Sequence, residues 1–217
     1  MIYGTKENQK KLEEIVGETE VFLLDMDGTV YIEDELIGDI KKTLQKMRLS
    51  GRRIIYFTNN SSKAAAEYEH KLERLGIFGK GDEVYTSGIA AAEYCNEFYA
   101  GKKVYLVGTQ GLRSEFAAAG ISLAEEGAEV AVLAYDTTLT FEKLVKINRM
   151  IVEGKPYIAT HPDAVCPAKG VFPPDVGSFI ELLKCSSGRA PDVICGKPYT
   201  VMGECIKRRL RLPAARI

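Results

Sequence analysis

Along the chain, short apolar runs alternate with longer stretches in which apolar residues recur every three or four positions. Val21-Phe22-Leu23-Leu24 is an unbroken apolar run bounded by a glycine-containing turn, which predicts a strand buried on both faces of a parallel sheet. Leu36, Ile37, Ile40, Leu44 and Met47 share one helical face and predict a helix over 36–49 that Gly51 ends. A second strand follows at 53–57. The polar run Thr58-Asn59-Asn60-Ser61-Ser62 then leads into a helix over 63–75, since such residues cap helix N-termini. A third short strand at 83–86 precedes a helix over 89–99. This repeated strand-then-helix order predicts an open parallel sheet with helical crossovers, a Rossmann-like α/β core.

The alternation continues with strands at 104–107 and 130–134 and helices at 112–118 and 141–153. A strand at 157–160 opens into a segment holding Pro162, Pro167, Pro173 and Pro174. Proline at that density excludes regular structure, and the segment is long enough to be a binding loop. A helix over 178–184 and a linker at 187–191 follow. Residues 192–195 then introduce Gly196-Lys197-Pro198, and a last helix covers 201–210.

Composition narrows the class. The chain has 217 residues, enough for one large domain or a core with a smaller second one. With 46% hydrophobic and 27% charged residues and a net charge of −1, it carries no signature of disorder, of nucleic-acid binding or of a membrane surface. No apolar run reaches the roughly 18 residues of a membrane span, and the polar start has no signal-peptide core. The expected address is cytoplasmic. Five scattered cysteines show neither a C-x-x-C pair nor zinc spacing and read as free thiols. His70 and His161 are the only histidines, so a histidine metal site or a Ser-His-Asp triad is poorly supplied.

The candidate chemistry sits at the end of the first strand. Residues two apart on an extended chain point the same way, so Asp25 and Asp27 share one side while Met26 faces inward. The carboxyl end of a parallel strand is also where such sheets keep their sites. D-x-D-G is equally what a plain strand-to-turn junction looks like. Phosphoryl transfer needs an in-line nucleophile, a proton donor for the leaving oxygen and positive charge around the phosphate. Asp25 suits the first task as an aspartyl-phosphate former, and Asp27 the second. Two close anions facing a phosphate call for a hard cation such as Mg2+. Thr58 and the amides of Asn59 and Asn60 at a helix start suit phosphate oxygens, though Ser61 and Ser62 read equally well as simple caps. Lys197, an ordinary surface lysine if read alone, offers a point charge that orients Asp25.

Together, D-M-D-G-T, T-N-N-S and G-K-P in this order resemble the haloacid dehalogenase superfamily of phosphatases. Within it the chain is similar to the C2-capped 4-nitrophenylphosphatase and NagD-like group, over nearly its whole length. Thr160-His161-Pro162-Asp163 and Gly177-Ser178 fall where that group carries similar segments. The resemblance implies Asp25 as nucleophile, Asp27 as acid and base, Lys197 as orienting lysine, and Thr58, Asn59 and Asn60 as phosphate grip. It implies Mg2+ on the Asp25 carboxylate and the Asp27 carbonyl. It also implies a core of residues 1–86 and 191–217 and a cap of residues 87–190, whose loop leans over the site with Asp163 and Cys166 as candidate specificity residues. The expected partner is a small phosphorylated metabolite, with no nucleic acid or membrane, and a homodimer through the cap.

One family feature is not found. The resembled phosphatases carry a further acidic loop on the strand after the lysine's helix, and this chain has no Asp or Glu after Glu204. The expectation is a core shortened at its C-terminal side, with the 21–24 strand left at the sheet edge. Three accounts stand: a shortened active phosphatase, a metal-weak relative, or an edge covered by residues 213–217 or another subunit. The alternative function is accordingly a weak or inactive relative that binds a phosphate ligand.

Overall fold

The computed structural model describes residues 6–217. The chain runs through α1 (Lys6–Glu18), β1 (Val21–Leu24), β2 (Tyr31–Ile32), β3 (Glu35–Leu36), α2 (Ile40–Leu49), β4 (Arg53–Thr58), α3 (Ala65–Arg74) and β5 (Glu83–Thr86). It continues with α4 (Ser87–Phe98), β6 (Val104–Val107), α5 (Gln110–Ala118), β7 (Val130–Leu133), α6 (Phe141–Val152), β8 (Tyr157–Ala159), α7 (Val176–Ser187), β9 (Val193–Ile194) and α8 (Thr200–Leu210). A 3-10 turn, Ala214–Arg216, closes it. Among these residues no helix is long and apolar enough to cross a membrane.

Two parallel sheets carry the fold, one ordered β1-β4-β5 and the other β6-β7-β8-β9. Every strand from β4 to β8 is followed by a helix, which is what parallel pairing requires. β4 and β6 to β8 are buried along nearly their whole length because helices cover both faces. Leu24 pairs with Tyr56 and Thr58 with Thr86, so β1, β4 and β5 end side by side. That alignment brings three loops to one rim.

Two local readings differ from the sequence expectation. The helix expected over 36–49 starts at Ile40, because Leu36 pairs with Tyr31 in an antiparallel hairpin and Gly38 turns the chain at φ +55°. Leu36 and Ile37 fit a helical period, yet strand pairing and the left-handed glycine determine the backbone there. Val193–Ile194 lies in the 191–217 segment assigned to the core, but β9 pairs with β8 and so extends the second sheet.

β1 is an edge strand, hydrogen-bonded to β4 alone among the described residues. The terminal turn lies against its start: Glu20 N–H donates to the Arg216 carbonyl at 2.9 Å and Arg216 pairs with the Glu20 carboxylate at 2.8 Å. Farther along, Leu23 and Phe57 line an apolar cavity of about 350 Å3 with Ile206, Ala214 and Ile217. The largest apolar cluster joins the two sheets. It runs from Val21, Ile55 and Phe57 through Ala91 and Cys95 of α4 to Leu106, Val132 and Ile158, and includes Met202 and Ile206 of α8.

Candidate active site

The turn after β1 is built to hold two carboxylates apart from the core. Gly28 takes φ +82°, a conformation that side chains resist, and its N–H donates to the Tyr31 carbonyl at 2.8 Å. The Met26 carbonyl accepts from Thr29, Val30 and Tyr31 at 2.9–3.3 Å. Met26 itself is 0% exposed, packed with Val30 and Tyr31 in the cluster under the turn. Burying a side chain of that size contributes about 1.5–3 kcal/mol, so the turn is pinned from below. Asp25 and Asp27 consequently face the rim together.

Lys197 reaches Asp25 from the other sheet's side of the cleft. Its Nζ donates to Asp25 Oδ1 at 2.6 Å and to the Phe57 carbonyl at 3.0 Å. Thr29 Oγ1 donates to Asp25 Oδ2 at 3.0 Å, so both oxygens of Asp25 are oriented. Asp27 has no such lysine contact. Burial pushes its carboxyl above the usual range, Lys71 opposes that, and the Asp25 charge adds to it.

The loop after β4 closes the other wall. Thr58 Oγ1 accepts the Asn60 N–H at 3.1 Å, which leaves the hydroxyl proton free for a ligand. Asn59 is a clasp: its Oδ1 accepts the Lys197 N–H at 2.8 Å, and its Nδ2 donates to the Lys197 carbonyl at 2.9 Å and to Asp163 Oδ2 at 3.0 Å. Asn60 Oδ1 accepts from Ser62 N–H and Oγ at 3.0 and 2.7 Å. Ser61 Oγ lies 3.0 Å from Thr160 Oγ1 and accepts the Tyr135 N–H at 3.0 Å, so it ties the loop to the second sheet rather than facing a ligand.

Asp25, Asp27, Thr58, Asn59, Asn60 and Lys197 line one cavity of about 440 Å3, and Asp163 and Cys166 of the loop after β8 line it too. All eight candidate site residues are thus brought together. Burial pushes the Cys166 thiol up to about 11, so it is a small polarizable wall group at neutral pH rather than a thiolate. Among the described residues no cluster of three His, Cys, Asp or Glu side chains is arranged to hold a metal. The Asp25 carboxylate lines the cavity, and the Asp27 carbonyl accepts none of the turn's hydrogen bonds.

Sequence reasoning missed Asp175, Pro167 and Pro198, which also line the cavity. It likewise missed His161, fully buried and 2.9 Å from Asp175 Oδ1 through Nε2. Ser87, His161 and Asp175 are therefore contiguous, with Ser87 Oγ 3.3 Å from His161 Nδ1. Ser87 is fully buried and its hydroxyl donates to the Asn59 carbonyl, so no nucleophile faces solvent there. An N-cap signal was available for Asp175, an Asp following Pro173-Pro174 and opening a helix.

A model of the haloacid dehalogenase-like hydrolases matches residues 22–122. An acid sugar phosphatase of Staphylococcus epidermidis is 32% identical over 184 residues, covering 84% of this chain and 71% of the relative. Among solved structures, the 4-nitrophenylphosphatase of Thermotoga maritima superposes with a TM-score of 0.88 at 38% identity, over 93% of this chain and 77% of that one. A glycerol phosphate phosphatase of Mycobacterium tuberculosis in complex with magnesium gives a TM-score of 0.84 at 28% identity, over 92% and 61%.

Proposed function

Because this chain belongs to the haloacid dehalogenase-like hydrolases, we propose that it is a Mg2+-dependent phosphatase that hydrolyses small phosphomonoesters through phospho-Asp25. The observation that carries the reading is the Lys197 Nζ to Asp25 Oδ1 contact of 2.6 Å, in a cavity that also holds Asp27. A lone carboxylate needs no such orientation. A nucleophile does, since attack on phosphorus must be in line.

Lys197 and Thr29 each hold one oxygen of the Asp25 carboxylate, so its aim at the phosphorus is set from two sides. Attack forms the Asp25 O–P bond and breaks the P–O bond to the alcohol. Asp27, whose carboxyl burial shifts toward the protonated form, gives its proton to the departing oxygen. Asp27 then takes a proton from water as that water attacks phospho-Asp25, which releases inorganic phosphate and restores both residues. The free Thr58 hydroxyl binds another phosphate oxygen, whereas the Asn60 N–H expected to join it is donated to Thr58 Oγ1 instead. Asn59 joins the Lys197 backbone to Asp163, so nucleophile, lysine and cap loop are set by one side chain.

The Asp25 carboxylate and the Asp27 carbonyl would hold Mg2+. Two protein oxygens suit an ion that keeps several waters and binds substrate phosphate directly. When bound, it neutralises phosphate charge and stabilises the charge that develops on the transferring group. Asp163 and Cys166 face the alcohol portion of the ester, and a cavity of about 440 Å3 suits a small metabolite.

Asp25→Asn, which removes the nucleophilic charge and leaves the volume unchanged, is expected to reduce phosphate release from 4-nitrophenyl phosphate in Mg2+ to background. Retention of wild-type turnover would reject the assignment of Asp25. Tight binding of the ester by the wild-type chain with no Mg2+-stimulated release would favour a ligand-binding relative instead.

A further inference from the structure

Asp175 occupies an unusual position for a carboxylate. It is 3% exposed, and it caps α7 by accepting the Val176 N–H on Oδ1 at 2.7 Å. The same Oδ1 lies 2.9 Å from His161 Nε2. Oδ2 takes part in neither contact, and the residue lines the cavity beside Asp27 and Cys166. A capping aspartate usually turns its second oxygen to bulk water. Here Oδ2 has no hydrogen-bond partner among the described residues, in a side chain that lines the cavity.

The hydrogen-bond directions around His161 fix this arrangement. The Tyr135 backbone N–H can only donate, so Ser61 Oγ accepts it at 3.0 Å. The pattern in which each hydroxyl proton finds an acceptor has Ser61 giving its own to Thr160 Oγ1, 3.0 Å away. Thr160 in turn gives its proton to His161 Nδ1 at 3.0 Å. Each hydroxyl supplies one proton, and the Ser87 hydroxyl is already donated to the Asn59 carbonyl. In that pattern the Nε2 proton is donated to Asp175. Ser61, Thr160 and His161 are all fully buried, and a satisfied buried network of this kind has few alternative arrangements. His161 is a positioning residue for Asp175.

Resting on the phosphatase reading above, we infer that Asp175 is a specificity-determining residue that faces the alcohol portion of the ester and selects neutral, hydroxyl-bearing leaving groups over those carrying a carboxylate. Four carboxylates, those of Asp25, Asp27, Asp163 and Asp175, line the cavity against the single lysine Lys197. Asp25 is matched by Lys197 and belongs to the phosphate end. Asp163 spends one oxygen on Asn59, and together with Asp175 Oδ2 it offers acceptors to hydroxyl donors at the other end. A hydroxyl satisfies a carboxylate oxygen, whereas a second carboxylate meets like charge.

The matched probes are sn-glycerol 3-phosphate and 3-phosphoglycerate, which share a three-carbon skeleton and differ where one has a hydroxymethyl group and the other a carboxylate. Each is measured as a competitor of 4-nitrophenyl phosphate hydrolysis by the wild-type chain and by Asp175→Asn. The asparagine Oδ1 still accepts from Val176 and His161, while its Nδ2 replaces Oδ2, so the charge is removed and an acceptor becomes a neutral donor. The expected wild-type inhibition constant is about tenfold or more lower for the glycerol ester. In Asp175→Asn the difference narrows several-fold, chiefly through tighter binding of 3-phosphoglycerate. Equal inhibition by the two esters, no inhibition by either, or an unchanged ratio in the variant overturns the inference while leaving the phosphatase reading intact. If the variant does not fold, the wild-type ratio decides alone. Absence of 4-nitrophenyl phosphate turnover overturns both.

Discussion

Asp25 and Asp27 carry the same functional group two residues apart, and their surroundings divide the labour between them. Lys197 and Thr29 hold Asp25 as an oriented anion, while burial raises the pKa of Asp27. An oriented carboxylate beside one that burial shifts toward its protonated form suits the proposed nucleophile and acid. A raised folded-state pKa also has a consequence for stability. Below the unfolded pKa both states keep the proton and nothing is lost. As pH rises through the folded pKa, stability falls, because the folded state must ionise a buried group that the unfolded chain has already ionised. Asp27→Asn has no such group to ionise. In chelator, its thermal midpoint is expected to gain on wild type as pH is raised from 4 to 8, while its turnover of 4-nitrophenyl phosphate falls by about 10²–10⁴-fold. A midpoint difference that is flat across this range would show that folding does not raise the Asp27 pKa.

At the scale of elements, the site depends on how closely loops approach one another. Gly196, between β9 and Lys197, is packed so tightly that an added Cβ would lie 2.6 Å from His161 Cβ, 2.7 Å from Asn59 Oδ1 and 2.8 Å from the Thr160 carbonyl. Gly196→Ala must therefore push the Asn59 clasp off the Lys197 backbone. It is expected to cost about 1–3 kcal/mol in urea unfolding and to lower kcat for 4-nitrophenyl phosphate, since Lys197 no longer aims at Asp25. Unchanged kcat would separate the clasp from catalysis. Such constraints explain what was legible in the sequence. The strands were readable because burial on both faces imposes apolar runs, and Asp25, Thr58 and Lys197 were readable because each follows or ends one. The β2–β3 hairpin was not, because Leu36 and Ile37 fit the period of the helix that follows. Asp175 and His161 were not, because their relation is set by a hydrogen bond across the irregular Pro-rich loop, where neither periodicity nor spacing carries information.

For the whole molecule, the decisive feature is that the two sheets share an interior. Residues 87–190 were expected to form a cap with the rest as core. Yet one apolar cluster joins Val21, Ile55 and Phe57 to Leu106, Val132 and Ile158, with α4 and α8 packed between. Swinging the second sheet away as a rigid lid would expose that cluster, at roughly 25 cal/mol for each Å2 of apolar surface. The loop between β8 and α7 is held more lightly. It meets the β2–β3 hairpin through the Lys169 N–H to Glu33 Oε1 contact at 3.0 Å and the Lys169 to Glu35 ion pair at 2.8 Å, both exposed, and exposed pairs are screened by solvent and contribute little. Substrate entry by movement of this loop is therefore cheaper than separation of the sheets. A shared interior also predicts that the chain unfolds as one unit. Far-UV and near-UV circular dichroism should report the same thermal transition, with calorimetric and van't Hoff enthalpies in agreement. Residues 87–190 expressed alone lack β9, α8 and the β1 and β4 side of the cluster, and should not give a cooperative transition. Two resolved transitions in the whole chain, or a cooperatively folded 87–190 fragment, would show that the sheets are independent and that the cap opens as a body.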